Sequence, residues 1–546
     1  MKTTSIPSGV RHINLHYAPR HFKTQAAWLD YAAWLRLNTK LALGLLPAPK
    51  RTPLNARVWG KRVGSGFTVE KVAFKSMPGF LVTGNLYRST KNTSRKSAPG
   101  ILSPHGHWED GRLHDHDRAG TVVNRGIQMA RHGATVFSYD MVGYNDSCQV
   151  PHREFRNDPH WGLSLMGLHT LNSVRALDFL LSLREVDPAR VLCNGCSGGG
   201  TQTFALMAVD DRLTAAAPIA MISYLMQGGC KCENAPLLRL DGTSVDLARL
   251  FAPRPMFMGS CTGDWTKNTP KEELPAMLEI YRLFGAADAV THLQVDDGHG
   301  YNLEMRQAVY GWLNRLFYGA KSAAPLKEDW IVKPPLRERM LWWGTFAPKE
   351  IPEAEFNRMW RARAEEALES PLRSPESARK ALGPLLEHAL GVTLTSVSEF
   401  AKRKDEGVRV EAEDGTLVVA STGRAKDLTG TVNFYTAYNR CFIGDRVHEV
   451  LAALDKVPSR VALVGKGEAG IWCLLAAALS KRVKSIDVDM SGFDPSLDAS
   501  WSKHLDVPCI RQLGGLATVF AMIGRRPLTL RHATADVRAL AKQFAR

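Results

Sequence analysis

One pentapeptide stands out for the chemistry it could do. Gly195-Cys196-Ser197-Gly198-Gly199 has the spacing Gly-x-Ser-x-Gly and falls between a run that reads as a strand and one that reads as a helix. A tight, strained strand-to-helix turn pushes a serine hydroxyl into a cleft, and small neighbours remove the clash between strand and helix. The backbone N–H of Gly198 then points to where an oxyanion would form, helped by the positive end of the following helix. The hydroxyl still needs a base, and the base needs an acid to orient it. Where such a turn carries a nucleophile, its partners follow in the order acid, then histidine. Asp264 comes just after the strand-like run Pro255–Gly259, and His299, between Gly298 and Gly300, comes after the next run, His292–Val295. A loop histidine is usually just solvated, and the chain has 17 histidines; the place of His299 after the last strand is what singles it out. Asp296, Asp297 and Glu233 compete with Asp264 for the acid's role, and Asp140, at the end of an earlier strand, reads as a residue that fixes a loop.

A second oxyanion donor should come from a loop after an early strand. Here that loop reads Ser103-Pro104-His105-Gly106-His107-Trp108-Glu109-Asp110-Gly111, and the backbone N–H of His107 is the candidate. His105, His107, His114 and His116, with Asp110, Asp115 and Asp117, also invite a metal reading. The segment is loop-like and one of its turns is needed by the serine chemistry, so no metal is expected. Cys193-x-x-Cys196 and Cys230-x-Cys232 read as buried thiols, since Cys193 falls on the strand and Cys196 inside the turn. The stretch Gly228–Pro236 forms a cleft rim in this reading, with Glu233 or Arg239 touching substrate. The insertion Met141–Leu165, carrying His152, His160 and Trp161, forms either the other wall or a packed surface loop. The substrate-contact candidates are therefore His105, Trp108, Trp161, Glu233 and Arg239.

These residues must be positioned by the elements around them. Residues 1–57 contain one helical pattern around Ala26–Leu37. Val69–Phe74 and Leu81–Leu86 read as a hairpin across Ser76-Met77-Pro78-Gly79. Strands at Gly100–Ser103, Thr135–Tyr139, Arg190–Asn194, Ala215–Ile222, Pro255–Gly259 and His292–Val295 then alternate with helices at Arg118–Arg131, Gly167–Leu183, Gly199–Ala208, Lys271–Leu283 and Glu304–Phe317. That rhythm predicts an α/β class with a mostly parallel sheet covered on both faces, spanning residues 58–320. Residues 321–395 read as a connector with Trp342-Trp343 and a helical run near Glu353–Glu369.

Residues 396–546 bring a second, smaller set of α/β signals. Ala189–Gly198 lines up with Ser459–Glu468, each after an amphipathic helix and before an Ala/Leu-rich one, which points to a degenerate duplicate. Gly467 stands where the first half has Ser197, and no Gly-Asp and Gly-His pair follows it, so this half is expected to be inactive. Gly465-Lys466-Gly467-Glu468-Ala469-Gly470 also matches Gly-x-Gly-x-x-Gly, with Asp487 and Asp489 at the distance a dinucleotide site wants. The segment falls late in its domain and parallels the serine turn, so no cofactor is expected.

Composition bounds the rest. The chain has 546 residues, 45% apolar and 23% charged, the balance of an ordinary globular protein of several domains. Its net charge of +16 favours acidic partners without specifying a fold; spread over the surface, it does not call for nucleic acid. No apolar run reaches the roughly 18–20 residues of a membrane span. The nine cysteines have no regular spacing, and Met1-Lys2-Thr3-Thr4-Ser5 lacks the apolar core of a signal peptide. A cytoplasmic location with reduced thiols follows, or a secreted one if a leader has been removed; a homo-dimer is left open.

With turn, acid, histidine and Pro104-His105-Gly106-His107 loop together, the first 320 residues resemble an α/β-hydrolase. More narrowly they resemble the bacterial acetyl xylan esterase and dienelactone hydrolase-related group. Cys230-Lys231-Cys232-Glu233-Asn234 and Asp297-Gly298-His299-Gly300-Tyr301 carry the resemblance further. It implies a serine carboxylester hydrolase working through an acyl-enzyme, deacetylating a carbohydrate or similar small ester. Glucuronoyl esterases share a Gly-Cys-Ser-x-Gly turn, but their following basic residue is replaced here by Gly199 and Gly200. The rival readings are a serine peptidase of the prolyl-oligopeptidase kind, for which no propeller repeats are seen, a polyanion-binding scaffold, and a nicotinamide-dependent enzyme using the Gly465 turn.

Overall fold

The structure is a computed structural model that describes residues 6, 9–91, 96–115, 120–329, 340, 348–392 and 407–544. Trp342-Trp343, His116, Asp117 and the start of the second half at residue 396 lie outside the described residues.

The first sheet has nine strands: β1 (Arg57–Gly64), β2 (Phe67–Met77), β3 (Phe80–Ser89), β4 (Ala98–Leu102), β5 (Thr135–Tyr139), β6 (Val186–Cys196), β7 (Ala215–Ile219), β8 (Met256–Gly263) and β9 (Val290–Gly298). Their order is β1-β2-β3-β5-β4-β6-β7-β8-β9. The hairpin read from the sequence pairs antiparallel with Phe74 opposite Val82, and β1 adds a strand outside it that the sequence reading did not separate. From β5 onward every pairing is parallel. Parallel strands need covered faces, and β4, β5 and β7 are buried at every residue. That explains why these strands read as short apolar runs without alternation.

Helices α1 (Gln25–Ala42), α2 (Val122–Arg131), α3 (Leu165–Ser182), α4 (Gly198–Val209), α5 (Ser244–Arg249), α6 (Glu273–Leu283) and α7 (Leu303–Tyr318) accompany the first sheet. Side chains cap several of them: Thr24 accepts from Ala27 N–H, Ser164 from Gly167 and Asn302 from Met305. α4 follows β6 through a single residue, Ser197, so the strand's end fixes the start of the helix.

The second sheet has five strands in sequence order: β10 (Val408–Glu413), β11 (Thr416–Ser421), β12 (Val461–Lys466), β13 (Val483–Asp489) and β14 (Leu528–Arg531). Only its first pair is antiparallel. The helix Phe442–Lys456 precedes β12 and the helix Ala469–Leu479 follows it, reproducing the strand–turn–helix of the first half.

The two sheets share one apolar core, which runs from Phe137 and Phe204 through Leu240 to Leu386, Leu463 and Phe520. Backbone bonds stitch the halves as well: Leu237 N–H to Thr436 O at 2.8 Å, Arg239 N–H to Ala437 O at 2.8 Å and Cys509 N–H to Pro159 O at 2.7 Å. Among the described residues no helix is long and apolar enough to cross a membrane.

Candidate active site

The turn after β6 has the geometry the pentapeptide demands. Ser197 sits at φ 60°, ψ −126°, a conformation that costs of order 1–3 kcal/mol for a side-chain-bearing residue and persists only where its surroundings impose it. They do so by close approach. A Cβ on Gly199 would lie 2.5 Å from the Pro104 carbonyl oxygen, and one on Gly195 would lie 2.5 Å from that of Gly199. Only glycine lets helix, strand and the Pro104 loop meet this closely. Gly198 is the first residue of α4, so its N–H belongs to the turn that has no acceptor within the helix.

Asp264 immediately follows β8 and His299 immediately follows β9. His299 Nδ1 is 2.8 Å from Asp264 Oδ2, and the Asp264 side chain is 2% exposed. The other carboxylate oxygen accepts from the N–H and hydroxyl of Thr266 at 2.6 and 2.5 Å. The carboxylate is thus held from one side and orients the imidazole from the other. His299 Nε2 is buried and has no hydrogen-bond partner. That is the nitrogen a serine base needs free.

The competing acids have other work. Asp296 accepts from Thr262, Asp297 from Asn302 and its own loop, and Glu233 Oε2 from the N–H groups of Gly229 and Cys230. Asp140 fixes loops, as the sequence suggested: buried, it accepts from Arg112, from Thr83 at 2.7 Å and from Asn145 at 3.0 Å.

The Pro104 loop lies against the elbow. A Cβ on Gly106 would be 3.1 Å from Ser197 Cβ, and one on Gly198 would be 2.8 Å from the His107 ring. Trp108, half-buried, stacks on His114 at 5.6 Å and approaches the His299 ring at 6.2 Å. Serine, histidine and acid are therefore brought to one end of the sheet with the Gly106–Trp108 segment beside them.

Four of the candidate substrate contacts are buried and engaged within the protein. His105 is fully buried; its Nδ1 pairs with the Gly106 carbonyl at 2.7 Å while Nε2 accepts from Met141 N–H at 2.9 Å. Burial lowers its pKa to about 3, so it stays neutral and braces the loop from within. Trp161 is buried; its carbonyl accepts from Trp360 Nε1 and Arg511 lies 4.8 Å over its ring. Glu233 is buried, and burial raises its pKa more than nearby His107 lowers it. Arg239 is fully buried, bonding the Glu233 carbonyl at 2.9 Å and Asn234 at 3.1 Å. Glu233 and Arg239, expected at the rim, are held inside their own segment by these bonds.

The sequence reading missed two features. Trp265, next to the acid, packs on the His299 ring at 4.3 Å; an aromatic following Gly-Asp was its only trace. His107, His152, Cys230 and Cys232 gather into one cluster from segments far apart in sequence, which no local spacing could reveal. The second half also holds an unexpected pair, as His532 after β14 meets Asp489 at the end of β13, Nδ1 to Oδ2 3.0 Å. The acids a dinucleotide site would use are thereby engaged, because Asp487 also pairs with Arg531 at 2.8 and 2.5 Å.

A cavity of about 470 Å³ opens elsewhere, lined by residues such as Lys40, Leu46, Met77, Arg175 and Arg363, and none of the elbow residues borders it.

No protein-family model matches the sequence, and no curated protein does. Among solved structures, a methylesterase is 28% identical with a TM-score of 0.54, over 64% of this chain and 77% of its own. A glucuronoyl esterase from Solibacter usitatus is 15% identical with a TM-score of 0.42, over 57% of this chain and 100% of its own. An acetyl xylan esterase from Paenibacillus sp. R4 is 17% identical with a TM-score of 0.36, over 55% of this chain and 96% of its own. With a nine-stranded, mostly parallel sheet, a strained serine turn after its sixth strand and a methylesterase as structural neighbour, the chain has an α/β-hydrolase fold like that of serine esterases.

Proposed function

We propose that the chain hydrolyses a carbohydrate ester through an acyl-enzyme, with Ser197 as nucleophile, His299 as base and Asp264 as its orienting acid. The observation that carries this is the His299–Asp264 pair, whose buried Nε2 is free, at the same end of the sheet as the strained Ser197 turn. His299 Nε2 takes the Ser197 proton as the hydroxyl attacks the ester carbonyl. Asp264 holds Nδ1–H and so keeps the imidazole in the tautomer that leaves Nε2 as acceptor. The N–H groups of Gly198 and His107 receive the oxyanion, a contribution of roughly 3–4 kcal/mol per donor. His299 then returns the proton to the departing alcohol, and a water attacks the acyl-serine by the same route.

The likeness to a methylesterase favours a methyl ester as the bond cleaved, in which methanol leaves. An acetylated sugar, in which the sugar leaves, is the second reading and rests on the motif resemblance. Labelling with a fluorophosphonate followed by peptide mapping tests the mechanism, and a single adduct on Ser197 is expected. Turnover of methyl-esterified against acetylated oligosaccharides separates the two substrates, methanol release against acetate release. No adduct together with no turnover of either substrate would sink the esterase reading.

A further inference from the structure

The loop beside the elbow contributes one imidazole to a group that ester hydrolysis leaves unused. His107, His152, Cys230 and Cys232 each present one ligand atom, and all of these lie within 4.8 Å of one another. His107 Nε2 is 3.0 Å from Cys232 Sγ, and His152 Nε2 is 3.5 Å from Cys230 Sγ. A tetrahedral zinc, with bonds of about 2.3 Å to sulfur and 2.0–2.1 Å to nitrogen, keeps its ligand atoms roughly 3.3–3.8 Å apart. Small side-chain adjustments convert the observed cluster into that shell.

The surroundings are those of a metal site as well. His152 Nδ1 pairs with the Val142 carbonyl at 2.8 Å, which fixes the tautomer with Nε2 free to ligate. His107 Nδ1 faces the buried Glu233 carboxylate at 4.0 Å. Glu233 in turn holds the Cys230 N–H at 3.0 Å, and Asn234 donates to the Cys230 carbonyl at 2.9 Å. The ligand-bearing segments are thus pre-set by hydrogen bonds one layer out, the arrangement that orients metal ligands elsewhere. Cys232 and His152 are buried while His107 and Cys230 are half-exposed, which leaves a way in for an ion.

We propose that His107, His152, Cys230 and Cys232 form a Cys2His2 site for zinc. Two soft sulfurs and two imidazoles select zinc over magnesium or calcium, and four protein ligands leave no open position, so the ion is structural. Binding converts both thiols to thiolates and releases their protons to solvent, balancing the ion's two charges. The site ties together three segments that surround the elbow: the Pro104 loop, the Met141–Leu165 insertion and the Gly228–Pro236 stretch. Its effect on turnover rests on the proposed esterase reading, in which the His107 N–H is an oxyanion donor that the metal would hold in place.

The test is the zinc content of the full chain, loaded with zinc under reducing conditions and dialysed. About one zinc per chain is expected in the wild type and in Cys148→Ser, an exposed thiol outside the cluster, with loss in Cys230→Ser and Cys232→Ser. Replacing zinc by cobalt in the wild type should give thiolate-to-cobalt charge-transfer bands and the intense visible bands of a tetrahedral ion. That spectrum needs no variant to fold. Substoichiometric zinc in the wild type, zinc retained by both cysteine variants, a cobalt spectrum without thiolate bands, or a Cys230–Cys232 disulfide that reductant does not open would each overturn the proposal. Removal of zinc by a chelator should lower kcat about ten- to a hundred-fold with little change in KM, reversed on adding zinc. An unchanged kcat would overturn the positioning role. Zinc bound without any esterase activity would leave the metal site standing and remove the esterase reading; fluorophosphonate labelling of Ser197 without zinc would do the reverse.

Discussion

The molecule contains the same strand–turn–helix twice, and the two copies differ in what surrounds the turn. Ser197 at φ 60° and Gly467 at φ 53° occupy the same kind of left-handed corner. Each half then sets a histidine Nδ1 against an aspartate at the ends of later strands, 2.8 Å for His299–Asp264 and 3.0 Å for His532–Asp489. The first pair is screened from water, with side chains 23% and 2% exposed; the second is open, at 75% and 20%. The corner differs likewise. Gly199 and Gly106 are pressed against neighbouring backbone, whereas a Cβ on Gly467 would meet nothing within 4 Å. An acid–histidine pair in water is a weak surface ion pair; the same pair out of water is an oriented base. In the proposed reading, what makes the first copy a site is the Pro104 loop pressed on its corner, whereas the described residues leave the space beside Gly467 open.

The largest effect should come from Ser197→Ala, which is expected to lower kcat/KM by roughly 10⁴- to 10⁶-fold while leaving the thermal midpoint nearly unchanged. Adding Gly467→Ser to that variant should restore nothing, because the new hydroxyl would stand in solvent. Measurable rescue in a steady-state ester assay would mean that the second corner needs only a nucleophile, and the contrast drawn above would fall. Next in size is Asp264→Asn, which keeps the shape but disturbs the tautomer of His299; a loss of about 10⁴ in kcat is expected. Asp489→Asn should leave turnover unaltered, and a comparable loss there would show that the open pair takes part after all.

These contrasts bear on what could be read from the sequence. The corner, its acid and its histidine were legible because each follows a strand of short apolar residues, and chain order does the rest. Strands β4 to β9 and the longer accompanying helices were legible for the same reason, since buried strands and helices of several turns leave strong local patterns, whereas the six-residue α5 (Ser244–Arg249) was not. Side-chain direction was not. His105, Glu233 and Arg239 lie in the correct loops yet turn inward, and only the hydrogen bonds of the folded loop decide that. The cluster of His107, His152, Cys230 and Cys232 was invisible because its members are joined by topology alone. The Asp489–His532 pair escaped because neither residue carries the flanking glycine that marks Asp264 and His299.

The packing of the connector against the N-terminal helix can be probed with pH. His388, on the helix Pro375–Ala389, is buried against Trp34 of α1 with ring centroids 5.2 Å apart, so it sits where an N-terminal helix meets the later part of the chain. Burial lowers its pKa from 6.5 to about 4. Above pH 6.5 the residue is neutral folded or unfolded and costs nothing. As pH falls below that value the unfolded chain gains a proton the folded chain refuses, so stability drains away down to about pH 4, by up to about 3 kcal/mol. Denaturant midpoints at about pH 7 and pH 5 should differ by less in His388→Phe than in the wild type. Equal differences would place the acid sensitivity elsewhere.

The smallest effect belongs to the open corner itself. Gly467→Ala meets no steric obstacle but must hold φ 53°, a conformation that costs an L-residue roughly 1–2 kcal/mol. A loss of about 1 kcal/mol in unfolding free energy, with ester turnover intact, is therefore expected. The cost should be local, because a Cβ on Gly467 would touch nothing within 4 Å. If the thermal midpoint falls much further, or if kcat changes, the second corner supports the first through the shared core, and its exposure would then conceal a mechanical role. If neither moves, the corner at Gly467 accepts a side chain without strain and the left-handed backbone there imposes nothing on the fold.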